Sequence, residues 1–134
     1  MISVQFVRTQ VNIGEIMSTA SLAPTTITMN IAGGLSTSSI VTMAMPFAGS
    51  ITGAYVAVTT APVGSALTAD LKIGSNVAAA FSIAAAGTSD EGTLSAQASN
   101  LYFTKGALVH LDVSAVGSST AGSNMTVAFT AVEG

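Results

Sequence analysis

The segment Val109-His110-Leu111-Asp112-Val113-Ser114-Ala115 alternates strictly between apolar and polar residues. That period of two is typical of a β-strand with one buried face. The same alternation occurs in residues 26–31, 67–73 and 125–131. In each segment one face can pack against a core while the other meets solvent or a partner, as in antiparallel sheets. These four segments predict an all-β protein of antiparallel strands.

Turn signals rich in Gly, Pro, Ser and Asn separate these segments at the spacing typical of sandwiches and barrels. Two further segments, residues 39–45 and 51–60, are apolar on both faces. They are predicted to be central strands or strands buried at a subunit contact. About eight strands are predicted, drawn from the ranges near 3–8, 25–31, 39–45, 50–60, 66–73, 77–83, 99–104, 107–116 and 124–132.

Two stretches are ambiguous in the sequence. Residues 78–86 have the composition of a short helix but lack a helical stripe, so we expect a strand followed by a loop. Residues 9–24 form neither a clean helix nor a clean strand pattern. They are either an extended arm that orders on a neighbouring subunit or an edge strand and loop of the same domain. The predicted organisation is an N-terminal arm or edge segment, 1–24, and a β-sandwich domain, 25–134.

Charged residues are unusually scarce in this chain. They make up 7% of the 134 residues, against about 25% in an ordinary soluble domain. The net charge is −3, so no basic patch is expected for nucleic acid and no attraction to an anionic membrane. A free monomer usually relies on more charge to remain soluble. We therefore expect a surface of small neutral residues that partner proteins partly cover.

The hydropathy pattern does not predict a membrane span or a secretion signal. Mean hydropathy is +0.67, but Thr, Ser, Gly or Asn interrupts every apolar run. A spanning helix needs about 20 consecutive apolar residues. The first twenty residues include Gln5, Arg8 and Glu15, so no signal-peptide apolar core is expected. The chain has no cysteine, which excludes disulfides and cysteine metal ligands.

The residue types needed for catalysis are few and scattered. His110 is the single histidine and lies mid-strand, on the face opposite Val109 and Leu111. Asp90-Glu91, the one adjacent carboxylate pair, falls in a Gly/Ser/Thr stretch and is predicted to be a solvated loop tip. No Gly-x-Ser-x-Gly elbow or phosphate-binding Gly motif is present. We expect no enzyme activity, no cofactor, and no catalytic or metal-binding residues.

The remaining candidate side chains have structural interpretations. Tyr55 and Tyr102 are predicted to anchor an interface or the edge of the core, because a sugar site would favour clustered aromatics and the chain has no Trp. The sequon at Asn124 is interpreted as an ordinary strand residue. Core packing is predicted for the methionines that fall within strand segments: Met29, Met43, Met45 and Met125.

The chain from Met45 onwards resembles a β module found in virion proteins of tailed phages, including capsid decoration proteins and some fibre domains. The resemblance rests on MPFAGSITG at 45–53, APVGSALTADL at 61–71, FTKGALV at 103–109 and VGSSTAGSNMTV at 116–127. It implies a jelly-roll-like sandwich in which the Ala-Pro-x-Gly-Ser turn links two strands. It supplies no catalytic residues.

The function that this resemblance implies is that of a phage capsid decoration, or cement, protein. Such a protein would bind the major capsid protein on the outer surface of the head and stabilise the capsid. It would be made in the host cytoplasm, end in the virion and associate with itself as a homotrimer, which suits local three-fold positions. The alternatives are another virion component (a head fibre, tail tube or tail fibre module) and, from a different class, a carbohydrate-binding or adhesin module.

Overall fold

A computed structural model describes the backbone of residues 2–10 and 22–134, and the side chains from residue 24 onwards. Most of these residues lie in strands, and the one helical element among them is a single 3₁₀ turn, Ala98–Asn100. The strands are β1 Ile2–Gln10, β2 Leu22–Gly34, β3 Ile40–Ala44, β4 Gly49–Thr60, β5 Leu67–Ile73, β6 Asn76–Ile83, β7 Ser89–Glu91, β8 Thr93–Leu94, β9 Tyr102–Phe103, β10 Leu108–Ala115 and β11 Ser123–Glu133.

The strands form two antiparallel sheets that pack face to face. Sheet A has the order β1-β2-β11-β4-β7, with β9 also paired to β4, and sheet B has the order β3-β10-β5-β6-β8. The runs β2-β11-β4-β7 and β3-β10-β5-β6 are the two four-stranded sheets of a jelly roll. Strands β1, β8 and β9 are additions to that core of eight. The predicted jelly-roll-like β-sandwich of about eight strands is therefore confirmed.

The core lies between the inner faces of the two sheets. On β10, Val109, Leu111 and Val113 are buried while the residues between them are not. From the facing sheet, Val127 and Phe129 of β11 are fully buried. Burial of each large apolar side chain contributes about 1.5–3 kcal/mol relative to exposure. The period of two in the sequence thus decides which face of each strand points inward.

Aromatic packing closes one end of the core. Phe47, between β3 and β4, meets Phe103 of β9 edge to face, with ring centroids 5.5 Å apart and an interplanar angle of 65°. Both rings are buried. The methionine prediction is confirmed for Met29, Met45 and Met125, which are buried, while Met43 is partly buried against the same core.

Three sequence predictions meet different outcomes. The segment 78–86 is the end of β6 followed by a loop, as predicted. The predicted strand at 99–104 is wrong in extent, because the 3₁₀ turn occupies its start and β9 is only Tyr102–Phe103. Residues 39–45 give an edge strand of sheet B, not a central one, and Ile40 is 45% exposed. Burial of that strand at a subunit contact stays a prediction.

The N-terminal residues add a strand to the edge of sheet A. β1 pairs antiparallel with β2, in a register that aligns Val4 with Met29 and Phe6 with Ile27. β2 itself begins at Leu22. The rest of the predicted arm, residues 11–21, lies outside the described residues. Contact of residues 1–24 with another subunit stays a prediction.

A β-bulge in β4 determines which of its side chains face outward. Thr130 of β11 pairs with Gly53, but the next residue, Ala131, pairs with Ile51, so Thr52 is an extra residue on β4. Ile51 and Ala54 are therefore both buried although they are three residues apart. The bulge explains why residues 51–60 look apolar on both faces in the sequence.

Candidate interaction face

The outer face of sheet A is a broad neutral surface. The strand registers and the alternation of burial define it for the described side chains. Glu91 is its single formally charged member within that part of the chain, and all others are Thr, Ser, Asn, Ala, Val or Tyr. The members of this face are Thr26, Thr28, Asn30, Ser50, Thr52, Tyr55, Ala57, Thr59, Ser89, Glu91, Tyr102, Thr126, Ala128, Thr130 and Val132.

Hydrogen bonds between neighbouring strands hold several of these polar side chains in place. Asn30 Nδ2 donates to Thr126 Oγ1 at 2.7 Å and to the Met125 carbonyl at 3.1 Å. The Thr52 and Thr130 hydroxyls lie 2.9 Å apart. Such cross-strand pairs contribute about 0.2–1 kcal/mol each. Because these side chains are already ordered, binding at this face loses less rotamer entropy than binding at a surface of free side chains.

Asn124 fixes one end of the same face. It has a left-handed backbone, φ 55°, at the start of β11. Its Oδ1 accepts from the Gly33 amide at 2.7 Å and its Nδ2 donates to Thr59 Oγ1 at 2.8 Å. Short polar side chains tolerate this conformation better than others. Asn124 is a strand residue, as predicted, and it ties β2 and β4 to β11.

Tyr55 lies on this face and is 58% exposed. Its hydroxyl donates to Glu91 Oε2 at 3.1 Å. The hydrogen bond to the Glu91 carboxylate, followed by repulsion between that carboxylate and a tyrosinate, raises the pKa of Tyr55 above its ordinary value of 10.0. Tyr55 is therefore a neutral hydrogen-bonded ring at physiological pH.

A shallow depression of about 340 Å³ lies beside the Tyr55 ring. Residues from β4, β7 and β11 line it, including Ala57, Asp90, Glu91 and Ala128. It belongs to the outer face of sheet A rather than to the space between the sheets.

The second tyrosine of the chain lies on the same face. Tyr102 pairs with Ser50, which pairs on its other side with Val132, and both Tyr102 and Val132 are exposed. Tyr102 and Tyr55 are therefore separated by the β4 stretch from Ser50 to Tyr55, about 15 Å at strand spacing. Both tyrosines are exposed on one surface, which argues against a core-edge role, and their role at an interface stays a prediction.

The outer face of sheet B has the opposite character. Lys72 Nζ lies 3.2 Å from Asp112 Oδ2, with both side chains about a third exposed. Asp70 is directly opposite Asp112, and His110 is directly opposite Lys72. An exposed pair of this kind contributes about 0–1 kcal/mol and is screened by salt. The charged strand residues 70, 72 and 112 thus share the sheet that is remote from the neutral face.

His110 and the carboxylates do not form a metal-binding cluster in the described part of the chain. His110 points outward from β10, opposite the buried face, as predicted. Among the residues searched, no three His, Cys, Asp or Glu side chains could share a metal ion. No helix there is long and apolar enough to cross a bilayer.

The predicted loop tip at Asp90-Glu91 is wrong. These residues form β7, which pairs with β4 and places Glu91 opposite Tyr55. Asp90 turns toward sheet B, where its Oδ2 accepts from the Ser82 amide of β6 at 2.9 Å. The Asp90 carboxylate therefore links the two sheets, and the Glu91 carboxylate orients Tyr55. A strand of three residues is too short to show a period of two, so the sequence carries no periodic signal for β7.

No family model, curated protein or solved structure matches this chain.

Proposed function

We propose that this chain is a non-enzymatic structural protein that binds a larger protein assembly through the outer face of sheet A. The observation that carries the proposal is the contrast between the two outer faces: one neutral with both tyrosines, the other bearing the charged residues 70, 72 and 112. Aromatic side chains are enriched, and charged residues depleted, at the centres of protein interfaces. The neutral face fits that composition.

The size of the face supports binding to a protein rather than to a small ligand. The part of this face whose side chains the structure describes is four strands wide, at about 4.8 Å per strand, and about 30 Å long. Its area is therefore roughly 600 Å². A standard interface buries about 800 Å² on each partner. Desolvating hydroxyl and amide groups costs little when the partner supplies hydrogen bonds, whereas desolvating unpaired charge costs several kcal/mol. A face whose described part carries one charge, the Glu91 carboxylate that accepts from Tyr55, therefore avoids most of the larger cost.

The resemblance of residues 45–127 to virion β modules makes the proposal more specific. In that form, the chain is a capsid decoration protein that binds the major capsid protein on the outside of a phage head and stabilises it. It would be made in the host cytoplasm and reside in the virion. The homotrimer implied by the same resemblance stays a prediction, as does the alternative of a head fibre, tail tube or tail fibre module.

Two lysine substitutions at matched exposed alanines test which face binds. Ala57 lies on the outer face of β4, and Ala80 lies on the outer face of β6, opposite Asp70. We expect Ala57→Lys to weaken binding to purified particles at least tenfold, about 1.4 kcal/mol, because it buries an unpaired ammonium. Ala80→Lys should bind within about twofold of the unchanged chain. Equal binding by both variants, or loss only in Ala80→Lys, would show that the assignment of the face is wrong.

One observation favours a second candidate, a carbohydrate-binding module. The depression beside Tyr55 combines an aromatic ring with the Glu91 carboxylate. Sugars stack on aromatic rings and donate hydroxyl hydrogen bonds to carboxylates. The Glu91 carboxylate already accepts from the Tyr55 hydroxyl, and the Asp90 carboxylate is turned away toward the Ser82 amide of β6, which weakens this candidate. Glycan-array binding that is lost in Tyr55→Ala, with particle binding unaffected, would favour it over the structural function.

A further inference from the structure

The two sheets have edges of very different length. In the described part of the chain, sheet B ends at β3, five residues, and at β8, two residues. On the far side of sheet A, β4 is covered by β7 and β9, three and two residues long. Backbone groups next to β7 and β9 also form hydrogen bonds to β4. The Gly92 amide donates to the Ala54 carbonyl at 2.8 Å, and the Ile51 amide donates to the Leu101 carbonyl at 2.9 Å. β1, nine residues long, is the long edge.

The long edge has few of the features that protect edge strands: its pairing with β2 shifts register once, between Arg8 and Gln10, and Arg8 holds the position opposite the buried Thr25. A free edge strand presents a row of backbone donors and acceptors, and monomeric proteins shield such edges with short strands, Pro, bulges or inward charges. The β1 sequence, ISVQFVRTQ, contains no Pro, no Gly and no acidic residue, and Arg8 is its single charge. It is rich in the β-branched and aromatic residues that favour strands. Its far side pairs with no other strand of the described chain.

We propose that β1 pairs antiparallel with β1 of a second copy of the chain, so that two copies of sheet A become one continuous sheet about a two-fold axis. A second copy is the fitting occupant because two-fold pairing needs the same edge twice. A closed three-fold ring through this edge would need a second edge of similar length, and the described part of the chain offers none longer than the five residues of β3. The edges therefore favour a dimer over the homotrimer.

The geometry of such a pair is well defined. Full overlap of residues 2–10 places Phe6 on the axis, and about eight backbone hydrogen bonds can form. Arg8 then lies opposite Val4 of the second copy. The two Arg8 positions are about 13 Å apart at strand spacing, beyond the Debye length of about 8 Å at physiological salt. Charge repulsion across the axis is therefore small.

A cysteine scan tests the register directly, because the full chain contains no cysteine. Single cysteines at each position of β1 would be oxidised at a protein concentration where light scattering gives the mass of two chains. A Cα separation of about 4.4–6.8 Å permits a disulfide, and facing residues of an antiparallel pair are about 4.5–5.5 Å apart. We expect cross-linking to peak at Phe6→Cys or an adjacent position and to be absent at Ile2→Cys and Gln10→Cys. Thr42→Cys, on the short edge β3, is the matched control and should not cross-link.

Two proline variants give an independent measurement. Adjacent residues of a strand direct their amides to opposite sides, so one of Gln5→Pro and Phe6→Pro removes a donor from the free edge and the other removes one from the pairing with β2. The variant that removes a donor from the free edge should keep its melting temperature in dilute solution, while its self-association weakens at least tenfold. A monomeric chain at all concentrations, a trimer, a flat cross-linking profile, or self-association unchanged in both variants would each overturn the proposal.

Discussion

Phe129 is the side chain whose removal tests the sandwich most directly. It is fully buried on β11, where it lies opposite Ile27 on one side and Ala54 on the other. Truncating a buried Phe to Ala removes its transfer free energy and leaves a cavity, at a cost of about 3–5 kcal/mol. Domains of this kind are stable by about 5–15 kcal/mol, so Phe129→Ala should remain folded only marginally or with much reduced stability.

The expected shift in melting temperature follows from chain length. With an unfolding entropy of about 2.1 cal/mol/K per residue, the 134 residues give about 0.28 kcal/mol/K. A loss of 3–5 kcal/mol therefore lowers the melting temperature by about 11–18 °C. Differential scanning calorimetry or thermal circular dichroism on the purified chain measures this directly.

The adjacent residue supplies the control. Thr130 faces outward, and its hydroxyl shares one hydrogen bond with Thr52 at 2.9 Å. Thr130→Ala should cost at most about 1 kcal/mol, or about 4 °C. A Phe129→Ala loss below about 1 kcal/mol, or a Thr130→Ala loss as large as that of Phe129→Ala, would show that β11 does not present this register to the core.

The remaining predictions concern a proton, a backbone position and salt. Glu91→Gln removes the carboxylate that raises the pKa of Tyr55, so the tyrosinate absorbance of Tyr55 should develop at lower pH, nearer 10.0; an unchanged titration would exclude Glu91 as the cause. Gly117→Ala should destabilise the chain by about 1–3 kcal/mol, because a Cβ there collides with the Thr120 carbonyl. The control Gly34→Ala places its Cβ in open space and should change the free energy of unfolding by less than about 0.5 kcal/mol. Urea unfolding measures both variants. Particle binding should change less than about tenfold between about 0.05 and 1 M NaCl, because exposed ion pairs contribute about 0–1 kcal/mol each, and a hundredfold loss at high salt would show that charge dominates.

The strands that the sequence predicts well are those with one buried and one exposed face. On β5, Leu67, Ala69 and Leu71 are buried and alternate with half-buried polar residues, and a period of two reports that arrangement locally. The sequence does not predict β7, because this strand forms through its pairing with β4. The paired residues are more than thirty positions apart in the chain. No local pattern contains that information.

The candidate face is harder to predict than the fold, for a specific reason. The bulge at Thr52 shifts the phase of β4, so Ser50, Thr52 and Tyr55 all face outward although a regular strand would send Tyr55 inward. Sequence periodicity alone would place Tyr55 in the core with Ile51. The outward position of Tyr55 becomes evident only when the pairing of β4 with β11 is known.

The neutral face and the long edge belong to the same sheet, and this links the two proposals. If β1 joins two copies, the neutral faces of both chains lie on one continuous sheet and together cover roughly twice the 600 Å² of a single chain. The charged residues Asp70, Lys72 and Asp112 remain on the two sheet B faces, away from the axis. A particle surface could then engage two faces at once, and dissociation would require both to release together. The proline variant that removes a donor from the free edge of β1 leaves the neutral face unaltered. We therefore expect it to weaken particle binding if both proposals hold, and neither proposal alone predicts this result.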